Sequence, residues 1–593
     1  MKSIVDWLVE PNPDGALRLY EGRQWVPTGY PSLAREALGA ATLMRGTGIR
    51  KGDRVAIILP TGLDFVRYFY GMLAMGAIPT VIAPPGLHGT ANYPEHVAAL
   101  LRVLDPRAVV AEASTFAVLP DWPSWSRREP VRLDTSEAVA DGTDATIDPA
   151  LGEDISIIQF TSGSMSSPNA VRLSADAVIA HIEMMRLAFR IGLDEYRDSW
   201  GSWLPMHHDM GLIGTLVAPV AHGRNLWLLR PEQFVRRPLL WLEMFGRHGV
   251  NHSGSPNFAL ERVVRLVRPN DLTGMDFSTW RTLSIGSDRI NLGVLRALYE
   301  LLAPFGLRPQ TLMPGYGMAE ATVGVSTSGP EETPHALLVD GTKLRHGGEV
   351  SVLARETLDS AIAAGPDEVR VVGCGAPLPG ARILVADENG ELLPDRRIGE
   401  LVVESPAMFS GYLRDETPAR PADGRRRHYT GDLGFLCDGQ VYVLGRMGNS
   451  VKINGNILTA EDVEIAVADR LDLPHDKVIA ILRDLDEPGA AAALLIFHQS
   501  VPPERVEAAL AALNRLGLPS DRAALAVMPP RGVPRTTSGK PRRVELWRLL
   551  ETGAITAKVC HLGARSPLRE SWDGGGPEAR TVGHQGITPR TPA

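Results

Sequence analysis

The segment Ile157-Ile-Gln-Phe-Thr161-Ser162-Gly163-Ser164-Met-Ser-Ser-Pro168-Asn169-Ala170-Val171 holds residue types suited to chemistry. An apolar run meets a loop of hydroxyls and one glycine, and a second apolar run follows. Backbone N–H groups and short hydroxyls in such a loop can wrap a polyphosphate without steric hindrance. It is not a Walker loop, because no Gly-Lys-Ser/Thr follows. Ser/Gly-rich loops are more often plain turns, so the segment takes its weight from what lies downstream. In order these are Trp203-Leu-Pro-Met-His207-His208-Asp209-Met210-Gly211, Tyr316-Gly317-Met318-Ala319-Glu320, Tyr429-Thr430-Gly431-Asp432, Gly445-Arg446 and Arg535-Thr-Thr-Ser-Gly-Lys540.

The elements that must position these residues read as a multidomain α/β chain. Its 593 residues exceed one ordinary core, and 44% hydrophobic with 22% charged residues is the composition of a soluble globular protein. A net charge of −8 gives no reason to expect a nucleic-acid surface. Cys374, Cys437 and Cys560 are too widely spaced for a metal pattern or disulfide framework. No apolar leader follows Met1, and no apolar run approaches a membrane span, so a cytoplasmic protein is expected. Arg54-Val-Ala-Ile-Ile-Leu reads as a buried strand, Asp64 to Met75 as a helix and Ile78 to Ile82 as a second strand, which together make a βαβ unit. The alternation recurs to about residue 320, as in a doubly wound sheet. Residues 371–445 read as a small β-rich subdomain, 325–371 as a candidate insertion, 446–563 as a separate α+β unit, and 564–593 as a disordered tail.

The ordered motifs resemble those of the adenylate-forming superfamily, and within it the fatty acyl-AMP ligases. The resemblance covers roughly residues 30 to 560. It implies a large N-terminal adenylation core (1–445) followed by a mobile C-terminal lid, with ATP and Mg²⁺ as cofactors. Thr161, Ser162, Gly163 and Ser164 would hold the departing phosphates, and Glu320 would ligate Mg²⁺, a hard cation that wants carboxylate oxygen. Tyr316 would stack on adenine, with Gly317 and Met318 giving close backbone approach. Gly286, Ser287 and Asp288 would complete the nucleotide wall, and Asp432 and Arg446 would contact the ribose. Lys540, on a flexible tip, would bridge acyl carboxylate and α-phosphate, while His208 would sit near the carboxylate at the mouth of an acyl tunnel.

The implied reaction is carboxylate plus ATP to acyl-AMP, then acyl transfer to the phosphopantetheine thiol of an acyl carrier protein. Chemistry on the α-phosphorus is mainly positioning and charge neutralisation. An acyl-CoA synthetase is the alternative, and a non-catalytic nucleotide-binding scaffold a second one. The 53 residues from Glu320 to Gly373 favour the acyl-AMP branch, whose members carry an insertion there that restrains the lid. Three departures stand out. Pro168-Asn169-Ala170 replaces the Pro-Lys-Gly of many relatives, Gly448 and Asn449 replace a Lys-Asp hinge, and Asp288 stands where relatives usually have glutamate. Thr215, where relatives often have glycine, would narrow the tunnel.

Overall fold

The computed structural model describes residues 1–593 apart from 87–92, 127, 137–141, 143–144, 162–168, 194–196, 364, 366, 415–426, 454–455, 486, 488–489, 536–540 and 574–593. The chain divides between Gly445 and Arg446 into two compact units.

In the first unit the expected βαβ forms as strand Arg54–Ile58, helix Leu63–Ala74 and strand Ile78–Val81. Phe65, Phe69, Met72 and Leu73 recur at helical spacing and are buried, each contributing about 1.5–3 kcal/mol relative to exposure. These strands belong to a six-stranded sheet that also holds Ala108–Ala111, Val131–Asp134, Ile155–Phe160 and Ala170–Ser174. Its pairings are parallel except the last, where Ile155–Phe160 runs antiparallel to Ala170–Ser174.

A nine-stranded sheet has six parallel members at its centre: Ala16–Glu21, Asn225–Leu228, Ser199–Ser202, His252–Pro256, Thr282–Gly286 and Leu312–Gly317. Antiparallel strands flank them, Gln24–Gly29 at one edge and Gly324–Thr327 with Ala376–Pro377 at the other. Helices follow several of the parallel strands, among them His252–Pro256 and Thr282–Gly286, and the two largest apolar cores draw on both sheets and helices. The expected insertion, 325–371, contains, to within one residue at its C-terminal end, a three-stranded antiparallel sheet, His335–Asp340, Val352–Thr357 and Glu368–Val372. A five-stranded sheet, including Arg382–Ala386, Gly399–Glu404, Arg427–Cys437 and Gln440–Arg446, completes the unit.

The second unit is α+β. A four-stranded sheet (Val478–Asp484, Ala491–Phe497, Ala523–Val527, Lys558–Leu562) packs with helices Ala460–Leu471, Pro503–Arg515 and Arg543–Glu551. Residues 564–573, expected as the start of a disordered tail, are instead packed on the second unit. Leu568 is fully buried with Ile479, Leu546 and Trp547, and a short helix, Arg569–Asp573, follows. Leu568 and Trp572, the apolar anchors of that stretch, supply the burial that a solvated tail lacks. Residues 574–593 lie outside the described residues. Also among the described residues, no helix is long and apolar enough to cross a membrane.

Candidate active site

Ligands of open α/β sheets bind beyond the carboxyl ends of parallel strands. The first-unit candidates before residue 325 gather at such ends. Thr161 follows strand Ile155–Phe160, the His207-His208 turn follows Ser199–Ser202, Gly286 closes Thr282–Gly286, and Gly317 closes Leu312–Gly317. The Thr161 amide donates to the Asn169 carbonyl at 2.9 Å, closing the loop at its base. That N–H is therefore committed to the loop, and the Thr161 hydroxyl is what could meet a phosphate. Ser162, Gly163 and Ser164 lie outside the described residues.

Tyr316 and Asp432 meet. The phenol donates to Asp432 Oδ2 at 2.6 Å, and Asp432 is 6% exposed. The five-stranded sheet aims this carboxylate through a bulge. Glu400 pairs with Leu433 but Val402 pairs with Tyr429, so Thr430, Gly431 and Asp432 hold two residues more than the partner strand. Gly431 takes φ +70°, its amide donates to Glu400 Oε1, and the Asp432 amide donates to Thr430 Oγ1 at 3.0 Å. Bulges re-aim side chains in this manner. Gly317 has a local reason as well. A Cβ there would lie 2.0 Å from the Val323 carbonyl oxygen, in the tight hairpin that leads into Gly324–Thr327. The close approach comes from the fold's own backbone. Met318 is buried.

Glu320 sits in a 3-10 turn, Ala319–Ala321, followed by Thr322 at φ +70°, a costly conformation for a β-branched residue. Its Oε1 accepts from the Tyr412 hydroxyl at 2.8 Å, and its carbonyl accepts from the Phe409 amide at 2.8 Å. Among the described residues no group of three or more His, Cys, Asp or Glu converges to hold a metal. A magnesium ion that arrives on nucleotide phosphates and takes one protein carboxylate fits this donor set, whereas a metal caged by protein alone does not.

Asp288 has a structural task. Its Oδ1 accepts from the Asn257 amide at 3.0 Å, at the start of helix Asn257–Leu266. Asn257 Oδ1 in turn accepts from the Asn291 amide at 3.1 Å, and Asn291 caps helix Leu292–Leu302. Ser287 turns the loop at φ +72°, and its hydroxyl lies 3.7 Å from Met210 Sδ. Gly286 lies under Gly315, whose carbonyl oxygen would be 3.2 Å from an added Cβ.

His208 occupies the turn before a π-helix, Met210–Val217. Such helices are rare and concentrate at functional sites. Its ring lies 4.7 Å from that of His207, whose carbonyl accepts from Gln159 Nε2 at 2.6 Å. Gln159 thus ties the strand that ends at Phe160 to the histidine turn. Thr215 is buried, its hydroxyl donating to the Gly211 carbonyl at 2.9 Å and lying 2.9 Å from Ser202 Oγ. Sequence reasoning missed Gln159 and Tyr412. Gln159 was visible as a polar residue inside an apolar strand, while no local pattern marked Tyr412.

Arg446 ends strand Gln440–Arg446 and is exposed. Gly448 and Asn449 form a 3-10 turn with Met447, and Gly448 lies outside the left-handed region, so its backbone does not require glycine here. Lys540 lies outside the described residues. On either side of it, Arg535 and Pro541 form an antiparallel bridge, and the Arg542 amide donates to the Pro534 carbonyl at 2.9 Å.

A carboxylate in a tight turn and a tyrosine–aspartate pair thus stand on the sheets of a mixed α/β unit. The chain belongs to the AMP-binding enzyme family, whose model matches residues 12–413. It is 30% identical over 83% of its length, and 86% of the other's, to the long-chain-fatty-acid–AMP ligase FadD26 of Mycobacterium marinum. It is 31% identical over 75% of its length, and 76% of the other's, to a Caulobacter vibrioides protein provisionally named acyl-CoA synthetase. Among solved structures, one from a study of fatty acyl-adenylate ligases from E. coli and L. pneumophila superposes with a TM-score of 0.81. It is 27% identical and covers 93% of this chain and 98% of that one.

Proposed function

We propose that this enzyme activates a fatty or related carboxylic acid with ATP and passes the acyl group to the phosphopantetheine thiol of an acyl carrier protein. In the first step a carboxylate oxygen bonds to the α-phosphorus, the bond to the bridging oxygen breaks, and pyrophosphate leaves. In the second, the thiol sulfur bonds to the acyl carbon and AMP departs with the electron pair of the broken C–O bond. The Tyr316–Asp432 pair carries the reading. A phenol fixes one oxygen of a shielded carboxylate, which can then accept from ribose hydroxyls while the Tyr316 ring meets adenine.

The remaining roles follow. The Thr161 hydroxyl with Ser162, Gly163 and Ser164 would hold the β and γ phosphates, and Glu320 would take the Mg²⁺ that neutralises them when bound. Gly286 and Ser287 would wall the nucleotide, Arg446 would add a ribose contact, and His208 would stand by the acyl carboxylate. Residues 446–563 would act as a lid that presents Lys540 to the α-phosphate, pivoting at Gly448 and Asn449, in a cytoplasmic enzyme. CoA as acceptor is the second reading, favoured by the likeness to the Caulobacter protein.

The test is incubation with ATP, Mg²⁺, a fatty-acid panel, CoA and a phosphopantetheinylated carrier. Acyl-AMP and pyrophosphate with acyl-carrier but no acyl-CoA is the expected result. Acyl-CoA formation moves the chain to the second reading, and absence of any adenylate removes both.

A further inference from the structure

The segment Ala407–Leu413 runs as a strap between two parts of the candidate site. On one side it pairs with strand Ala170–Ser174, which leaves the phosphate loop. The Ser410 amide donates to the Arg172 carbonyl at 2.8 Å, the Arg172 amide to the Gly411 carbonyl at 3.1 Å, and the Leu413 amide to the Ala170 carbonyl at 2.8 Å. Val171 and Tyr412 form the bridge between them. Arg172 adds its side chain, with one terminal nitrogen donating to the Ser410 carbonyl at 2.8 Å.

On the other side the strap grips the glutamate turn at three points. Thr322 Oγ1 donates to the Ala407 carbonyl at 2.7 Å, the Phe409 amide to the Glu320 carbonyl at 2.8 Å, and the Tyr412 hydroxyl to Glu320 Oε1 at 2.8 Å. The first contact anchors Thr322 in its strained φ, and the third reaches the carboxylate itself. The Tyr412 ring is half-buried and packs edge-on against Phe409, with centroids 5.0 Å apart, so its direction is set by packing.

We propose that Tyr412 is a positioning residue for the activation step, its hydroxyl fixing the Glu320 carboxylate relative to the strand that leaves the phosphate loop. This rests on the reading of Glu320 as the protein oxygen for the nucleotide's cation. A carboxylate on a flexible arm spends most of its time in rotamers that miss a cation seated on phosphate. One oxygen held by a phenol leaves the other aimed, so the geometry exists before the nucleotide arrives.

Tyr412→Phe keeps the ring and the backbone bridge and deletes only the donor. Manganese binding to the full-length protein, saturated with α,β-methylene-ATP, is followed by electron paramagnetic resonance, which reads the cation site without turnover. Removing a hydrogen bond to an ionised carboxylate should weaken Mn²⁺ about tenfold and lower kcat for acyl-AMP formation by about the same factor, while the KM for the fatty acid stays within about twofold. Glu320→Gln with Tyr412→Phe should be no worse than Glu320→Gln alone, because both changes remove one function. Arg172→Leu, which loosens the strap without touching the carboxylate, should reproduce the Mn²⁺ defect in weaker form and keeps the idea testable if Tyr412→Phe folds poorly. Mn²⁺ affinity unchanged in Tyr412→Phe, or defects that multiply with Glu320→Gln, would overturn the positioning role. If the wild type forms no acyl-adenylate yet its Mn²⁺ affinity still depends on Tyr412, the proposed reaction falls and the positioning role stands.

Discussion

Tyr316→Phe separates nucleotide recognition from fold maintenance. The substitution preserves an aromatic ring for adenine and removes the donor to Asp432 Oδ2 at 2.6 Å. Hydrogen bonds to charged groups contribute about 1.5–3 kcal/mol net, and Asp432 sits at 6% exposure, where solvent replaces a lost donor poorly. The bulge contacts at Thr430 and Gly431 stay in place and hold the backbone, so the loss falls mainly on the orientation of the carboxylate. Taking the lower end of that range, AMP should bind about tenfold more weakly, a difference of about 1.4 kcal/mol. Calorimetric titration with AMP and with 2′,3′-dideoxy-AMP makes the decisive comparison. The dideoxy compound offers no ribose hydroxyls to Asp432, so wild type and variant should bind it equally. If Tyr316→Phe loses affinity for both ligands alike, the phenol acts through the pocket's general shape and the ribose argument is wrong. If it loses affinity for neither, the pair is structural only.

Lys540→Ala should lower the rate of acyl-AMP formation by about 10²–10³, read from pyrophosphate release, with AMP binding little changed. Thr215→Gly removes a buried side chain whose hydroxyl meets Gly211 and Ser202, and it should extend the accepted fatty-acid chain length; an unchanged chain-length profile dismisses Thr215 as a tunnel residue. Glu356, almost fully buried, accepts from Arg296 and Arg370 at 2.7 Å each and so ties strand Val352–Thr357 to helix Leu292–Leu302. Burial pushes its pKa up, but the two arginines outweigh burial and hold it below the ordinary carboxylate range. Its stabilisation is therefore complete above about pH 4.5 and fades as pH falls through the lowered folded value. Glu356→Gln should make the amides of Val352–Thr357 exchange about tenfold faster or more at pH 7, and the gap from wild type should shrink as exchange is followed toward pH 4.

The sequence showed most clearly what depends on local periodicity. The strand Arg54–Ile58 and helix Leu63–Ala74 follow from short-range apolar spacing, and the turn residues bound them. The β-rich stretch after residue 371 was legible for the same reason. Non-local contacts were not legible. Nothing near Tyr412 indicates that its hydroxyl meets Glu320, 92 positions away, since that depends on the pairing of two distant segments. The burial of residues 564–573 was not legible because Leu568 and Trp572 are the only large apolar residues there, and composition averages them away.

Asp288 and Gly317 show why matching a motif differs from assigning a role. Both belong to stretches read for nucleotide binding, yet each has a sufficient reason inside the fold. Asp288 Oδ1 receives the first amide of a helix, and Gly317 admits the Val323 carbonyl where a Cβ would collide. A residue in such a position would be retained even if it never touched a ligand. Asp432 and Glu320 differ because the fold goes beyond accommodating them. A bulge carrying two extra residues aims Asp432, and a strained turn gripped by a strap from a distant segment holds Glu320. A bulge and a threonine held at positive φ cost stability, and a chain folded for packing alone would dispense with them. The elaborate support of these two carboxylates, more than their presence in a motif, is what favours the roles proposed for Asp432 at the ribose and Glu320 at the cation.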